Sequence, residues 1–318
     1  MAGSRWQEAR ALFLLPAPWF FMTFVDFLNL LIAALLLAGI YAVMSVGMTV
    51  IYGVMKIVNL AHAGFLMMGA YFALELYDRL HFDPILAALL AFPFFFLVGI
   101  AVHWLLVRWL PQSDRPTLQS LLLMFGLWLV LQNFGYLIWG NTDRSILTPR
   151  TLSIIELGPI TISTLRLVVF VAAVGCMAVL EIALSRTWFG RSVRALIQNR
   201  YAGRIVGVDD EKTARLTFGM GIAFAGVAGA LLATLYSFDP DFGRPFLLRA
   251  FVIIVLGGLE SVSGVALGAL VLALVETFSI LFVPAAYQPA ISFALLVVVL
   301  VVLPGGIASL WAKRRRLA

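Results

Sequence analysis

The fold class this chain predicts is all-α: a polytopic bundle of membrane helices. Three observations carry that reading. First, the 318 residues are 63% hydrophobic and 12% charged, where a soluble domain holds ~45–50% and ~25%. Second, apolar runs of about 20 residues recur, long enough to cross a bilayer core of ~30 Å. Third, the basic residues gather beside those runs, where orientation in a membrane explains them better than nucleic acid does. Alternating ten-residue strands of a membrane barrel are absent from the sequence.

Residues 1–25 read as an N-terminal extension or anchor. Within them, 11–24 (ALFLLPAPWFFMTF) is apolar but holds Pro16 and Pro18. Fourteen helical residues reach only ~21 Å, so length argues against a crossing. The charges of Arg5 and Arg10 argue for one. No small-residue cleavage site marks the stretch as a removable signal.

The transmembrane body runs from 26 to 311. Its expected spans are about 27–52, 60–77, 85–108, 118–139, 165–185, 214–236, 264–283 and 290–311, with 248–259 too short to assign. That makes about 8–10 spans, with a broken or re-entrant element near 248–264. The segment 186–215 carries seven of the chain's 22 Lys and Arg, and the tail 312–318 carries Lys313, Arg314, Arg315 and Arg316. Both are expected in the cytoplasm, which puts 140–164 and 237–247 outside. With 214–236 going out and 290–311 coming back, 248–259 and 264–283 together give no net crossing. They either both traverse or form a hairpin entered from outside.

Within the basic segment, Val193, Leu196, Ile197, Tyr201, Ile205 and Val208 recur at helical spacing, so one face of a helix over about 192–206 is apolar. Gly190 is expected to precede that helix and Gly207 to fill its left-handed C′ position. Asp209, Asp210 and Glu211 open the next helix, where negative charge suits the dipole. Two readings stand side by side: a surface helix lying on anionic lipid, or a docking element for a cytoplasmic partner.

Catalytic patterns are missing from the sequence. None of Lys56, Lys212 and Lys313 follows a glycine, so there is no phosphate-binding P-loop. His62, His81 and His103 form no metal spacing. No Gly-x-Ser-x-Gly elbow occurs. Cys176 reads as a free core thiol. An enzyme or scaffold is the weakest expectation.

Three features rise above that background. Between two spans, Lys56, Asn59, His62, Ala63 and Gly64 bring polar and small residues together. Asn59 suits the N-cap of a helix from 60, and a helix start at depth can face a substrate carboxylate. An ordinary cytoplasmic turn is the competing account. Next, Gly221, Ala225 and Gly229 on one span and Gly264 and Gly268 on another recur every four residues, which suits close helix approach. Third, Asp26, Glu75, Glu181, Glu260 and Glu276 lie in or near spans. Glu276 is the one expected at depth, and together with His62 it motivates an alternative function as an ion-coupled secondary carrier of small organic solutes.

Three ordered blocks resemble the permease subunits of branched-chain amino-acid ABC importers, the LivH family. The first runs from Gly47-Met-Thr-Val-Ile-Tyr-Gly53 through Val58-Asn59-Leu-Ala-His62 to Met68-Gly69-Ala-Tyr71. The second is Gly190-Arg191-Ser-Val-Arg194 to Gly207-Val208, followed by Leu216-Thr217-Phe218 and Ala225-Gly226-Val-Ala228-Gly229. The third holds Ala250-Phe251 after a basic residue, then Val255-Leu256-Gly257-Gly258-Leu259-Glu260-Ser261 to Gly268. Leu303-Pro304 and Gly306 extend the resemblance to about 311. The chain departs from the usual pattern at Ala63, Glu260 and Ser263.

The resemblance implies a multi-pass subunit of a bacterial inner membrane, C-terminus cytoplasmic, without an ATPase of its own. It implies two ATPase subunits carrying ATP and Mg, a second permease and a periplasmic substrate-binding protein that meets the outer loops. The carried solute is then a branched-chain amino acid or a related small amphipathic molecule, such as urea, an amide or an aromatic acid. Arg191, Arg194, Leu196, Ile197, Asn199, Tyr201, Ala202, Arg204 and Gly207 are expected to couple to the ATPase. Asn59, His62, Gly64, Gly257, Gly258, Glu260 and Ser261 are expected along the translocation pathway.

Overall fold

The computed structural model describes residues 23–110, 116–284, 287–303 and 305–307. The tail 312–318 and most of the extension 1–25, including the question of whether 11–24 crosses, lie outside the described residues. The chain there is a helical bundle: α1 (Phe24–Met55), α2 (His62–Leu80), α3 (Pro84–Leu105), α4 (Pro116–Trp139), α5 (Thr164–Arg186), α6 (Trp188–Gln198), α7 (Arg200–Ile205), α8 (Asp210–Leu232), α9 (Gly243–Gly257), α10 (Val262–Ser279) and α11 (Gln288–Val302). Six helical segments are long and apolar enough to cross a membrane: α1, α3 with its 3-10 extension to Trp109, Leu118–Trp139 of α4, α5, α8 and α10. The helix α2 carries Glu75, Asp78 and Arg79 near its end, and α9 and α11 have 15 residues each.

Local chemistry sets the ends. Thr23 and Asp26 form a reciprocal capping box that starts α1, satisfying backbone donors that a helix leaves free. Asp83 caps α3 ahead of Pro84, and Ser163 caps α5. Asp209 caps α8, with Asp210 and Glu211 in the first turn, as the charge pattern predicts. That helix begins four residues earlier than the apolar run suggests, because the cap and not hydropathy decides the start.

The core forms around α1 and α8. Tyr41, Met44 and Ile51 of α1 and Phe218, Ile222 and Phe224 of α8 are fully or almost fully buried. The two helices cross where Gly47 meets Gly221, each placed so that a Cβ would overlap the other's carbonyl. In lipid such close approach is what holds helices together, since the tails are as apolar as leucine. The small-residue spacing on α8 and α10 thus serves packing within the chain: Gly229 meets the Leu66 carbonyl and Gly268 that of Ile253. In contrast, α4 and α5 turn most of their surface outward.

Two departures from an all-helical reading appear. A short antiparallel hairpin, β1 (Ile154–Leu157) with β2 (Ile160–Ser163), follows α4. The four-residue strands are too brief to register against the background of apolar runs. Second, 237–247 is not simply a loop. Phe238 exchanges backbone hydrogen bonds with Arg144, and the chain then dips so that Gly243, the first residue of α9, lies against the Ala63 carbonyl.

The turn at 258–261 is common to both accounts of 248–264, and its place in the bundle is fixed. The turn after α9 sits at the basic end of the bundle, where Glu260 pairs with Lys56, the residue that follows α1. So α9 runs toward that end, α10 runs away from it, and α11 returns.

Candidate functional site

The basic segment is built in two pieces. Thr187 caps α6 by accepting from the Gly190 amide at 3.2 Å. Gly190 therefore lies inside the helix and does not precede it. Asn199 breaks the expected continuous helix over 192–206: its backbone is extended and its side chain accepts from the Ala202 amide at 3.0 Å, starting α7. Gly207 takes the left-handed conformation, φ 87°, that the sequence predicts.

The apolar stripe splits likewise. Val193 and Leu196 are buried against Val54 of α1, with Ile197 and Val208 beside them. They anchor the segment to the bundle and are turned away from any partner. Burial of such side chains is worth ~1.5–3 kcal/mol each, enough to hold α6 in place. Tyr201, Ile205 and Val206 point outward, as does Trp188, and each is at least 69% exposed. Ala202 is exposed beside them.

The arginines divide too. Arg194 donates to the Leu184 carbonyl. Arg204 and Arg200 both pair with Asp210 at the start of α8, the latter at 2.8 Å. Those three are spent on the chain itself. Arg191 lies over the Trp188 ring at 4.0 Å and makes no ion pair among the described residues.

A second cluster forms where the chain doubles back. The His62 Nε2–H donates to the Met44 carbonyl at 2.8 Å. Met44 lies eleven residues, or ~16 Å, before the end of α1, so 56–61 retraces that distance into the bundle. Both His62 and Asn59 are buried. Because a carbonyl only accepts, the neutral His62 ring carries its proton on Nε2. That leaves Nδ1 as an acceptor, and it has no partner. Neither amide atom of Asn59 has a partner either. The sequence places Asn59 as the cap of α2, but the structure does not: Ala61 holds that position with no side-chain bond. Gly64 packs against Leu131 of α4.

The third cluster is the turn at the basic end. Gly257 and Gly264 are in contact, each filling the space that a Cβ on the other would need. Gly258 has φ 102°, a conformation that favours glycine. Ser261 caps α10 by accepting from the Gly264 amide at 3.0 Å. This turn and the Asn59–His62 pair are not one site; Lys56, paired with Glu260 on one side and leading into Asn59 on the other, is the bridge between them.

A fourth cluster was visible in the sequence only by half. Glu276 is 2% exposed. Its carboxylate accepts from Arg249 Nε at 2.9 Å, Tyr41 Oη at 2.5 Å and Ser292 Oγ at 2.5 Å. Glu276 therefore belongs to a buried ion pair and is not a lone carboxylate at depth. Arg249 was within reach of sequence reasoning: it interrupts one apolar run as Glu276 interrupts another, and ionisable groups in membrane helices pair with one another.

Residues 30–300 match the family described as "Branched-chain amino acid transport system / permease component". The chain is 28% identical over 295 residues to the high-affinity branched-chain amino acid transport system permease protein LivH of Escherichia coli K12, covering 89% of this chain and 96% of that protein. It is 30% identical over 292 residues to the corresponding protein BraD of Pseudomonas aeruginosa, covering 88% and 95%. It is also similar to LivM of E. coli K12, 28% identical over 274 residues, 74% of this chain and 60% of that protein. No solved structure matches.

Proposed function

Since this chain belongs to the permease-component family of branched-chain amino-acid transport systems, we propose that it forms the gate through which an ATP-driven importer passes branched-chain amino acids. Energy arrives from two ATPase subunits that hold ATP and Mg, while a second permease completes the pathway and a periplasmic binding protein delivers the solute. The similarity to both LivH and LivM supports two related permeases side by side. The basic end faces the cytoplasm of a bacterial inner membrane, C-terminus included, because 186–215 concentrates arginine there.

One observation carries this reading. The segment α6–α7 is fixed on its inner face to Val54 and leaves Tyr201, Ile205 and Val206 uncovered on its outer face. Exposed apolar groups flanked by arginine suit a protein groove, and their rigid backing suits transmission of force. Tyr201 and Ile205 are the ATPase contacts in this proposal; Leu196 and Ile197 relay the movement to α1, with Arg194, Arg204, Asn199 and Gly207 holding the segment's shape. Closure of the ATPases on ATP then moves the docked helices and alternates access.

The test is the double substitution Tyr201→Asp, Ile205→Asp. The chain is expected to stay in the membrane while the ATPase fails to co-purify and leucine uptake falls to background. Uptake at the unsubstituted rate would overturn the docking assignment. Uptake that persists when ATP is exhausted but a proton gradient is kept would favour the ion-coupled alternative instead.

A further inference from the structure

We infer that the cavity beside the Arg249–Glu276 pair is a binding subsite for the carboxylate and aliphatic side chain of the transported amino acid. The cavity is about 450 Å³ and is lined by Leu30, Leu37, Arg166, Tyr236, Arg249 and Glu276 among others. That volume falls in the range of small-molecule sites, ~300–1,000 Å³. It lies between α1, the start of α5, the end of α8, α9, the end of α10 and Gln288 at the start of α11. Those positions gather at the end of the bundle opposite the basic segment, where a solute enters.

The chemistry of the wall is specific. Glu276 has both oxygens engaged, by Arg249, Tyr41 and Ser292, so it is not free to take a ligand's charge. Arg249 commits only Nε to it among the described residues, and a guanidinium carries four further N–H donors. Arg166 makes no ion pair among the described residues. Two guanidinium groups against one satisfied carboxylate leave a net positive cavity, and a guanidinium fork fits a carboxylate. Leu30, Leu37 and Ile280 line the same cavity and supply aliphatic surface. A charged head beside that surface selects a carboxylate joined to a branched alkyl chain. The inference rests on the importer reading above and specifies where the solute is held.

The test uses the assembled complex in lipid nanodiscs without its binding protein, so that recognition by that protein does not intervene. In a Cys176→Ala background, Ala33→Cys places a thiol on the cavity wall. Leucine and 4-methylpentanoate are expected to slow its maleimide labelling, and 3-methylbutylamine, which lacks the carboxylate, to have no effect. Adding Arg166→Gln is expected to raise the leucine concentration needed for protection about tenfold or more, the loss typical of a charge-assisted hydrogen bond. Labelling indifferent to leucine, in a complex that still imports leucine when reconstituted in liposomes with its binding protein, overturns the subsite and leaves the importer reading intact. Protection by long-chain fatty acids but not by leucine assigns the cavity to lipid and overturns it as well. A complex that imports no leucine in liposomes even with its binding protein and ATP supplied removes the importer reading, and the subsite with it.

Discussion

Asn59 and the Arg249–Glu276 pair show opposite ways of keeping polarity inside a membrane bundle. The pair is saturated: Glu276 is held by three side chains. Replacing such a pair by apolar groups is often neutral, whereas removing one partner costs ~3–5 kcal/mol because a bare charge stays behind. Glu276→Leu is therefore expected to lower the melting temperature of the detergent-purified complex sharply, and Arg249→Met with Glu276→Leu to recover most of it. A double variant that melts no higher than the single one would refute the pair as the cause. Asn59 is the reverse case, buried with both amide atoms unpaired. An unsatisfied buried group costs ~1–3 kcal/mol, so Asn59→Leu is expected to stabilise the protein or leave it unchanged. Leucine uptake is nonetheless expected to fall, because in the proposed pathway the unpaired amide is left for the passing solute. Unchanged uptake would remove Asn59 from the pathway.

At the scale of the element, the proposed coupling segment depends on a single break. Asn199 ends α6 and caps α7, which rotates Tyr201 and Ile205 away from the face that Val193 and Leu196 bury. Loss of an N-cap costs ~1 kcal/mol. Asn199→Ala is expected to leave folding nearly intact and to loosen α7, seen as ATP hydrolysis that no longer scales with leucine uptake; a preserved ratio of the two would argue against it. This break also marks how far the sequence could be read. The Asp209 cap and the Gly207 turn were legible because each acts on its immediate neighbours. The split at Asn199 was not, since the 3.6-residue period continues across it and only the change of face gives it away. The fold-back of 56–61 was equally hidden: Asn59 looks like a helix cap, and the segment's course is shown only by His62, which bonds to Met44 of α1 eighteen residues back. Partners distant in sequence, such as Tyr41 and Glu276, leave no local trace beyond a charge in an apolar run.

Across the whole molecule, the contacts at the basic end converge on the last turn of α1. Val54 takes the pressure of α6 through Val193 and Leu196. Two residues on, Lys56 holds Glu260 in the α9–α10 turn. The chain then doubles back through Asn59 to His62, which reaches the Met44 carbonyl. If alternating access separates these elements, joining them must stop it. Lys56→Cys with Glu260→Cys in a Cys176→Ala background, joined by a bis-methanethiosulfonate cross-linker that spans the gap left by the two long side chains, is expected to lose uptake and to regain it on reduction, at a roughly unchanged expression level. Full uptake by the cross-linked protein would show that the two elements move as one.

The left-handed bend at Lys56, φ 55°, then acquires a meaning beyond geometry. In the proposed coupling it would act as a crank: a small swing of α6 and α7 would be handed on by one stiff elbow in two directions, to the glycine turn beside Glu260 and to the start of α2. Any ligand that jams this elbow would stall the machine without touching either the nucleotide or the cargo.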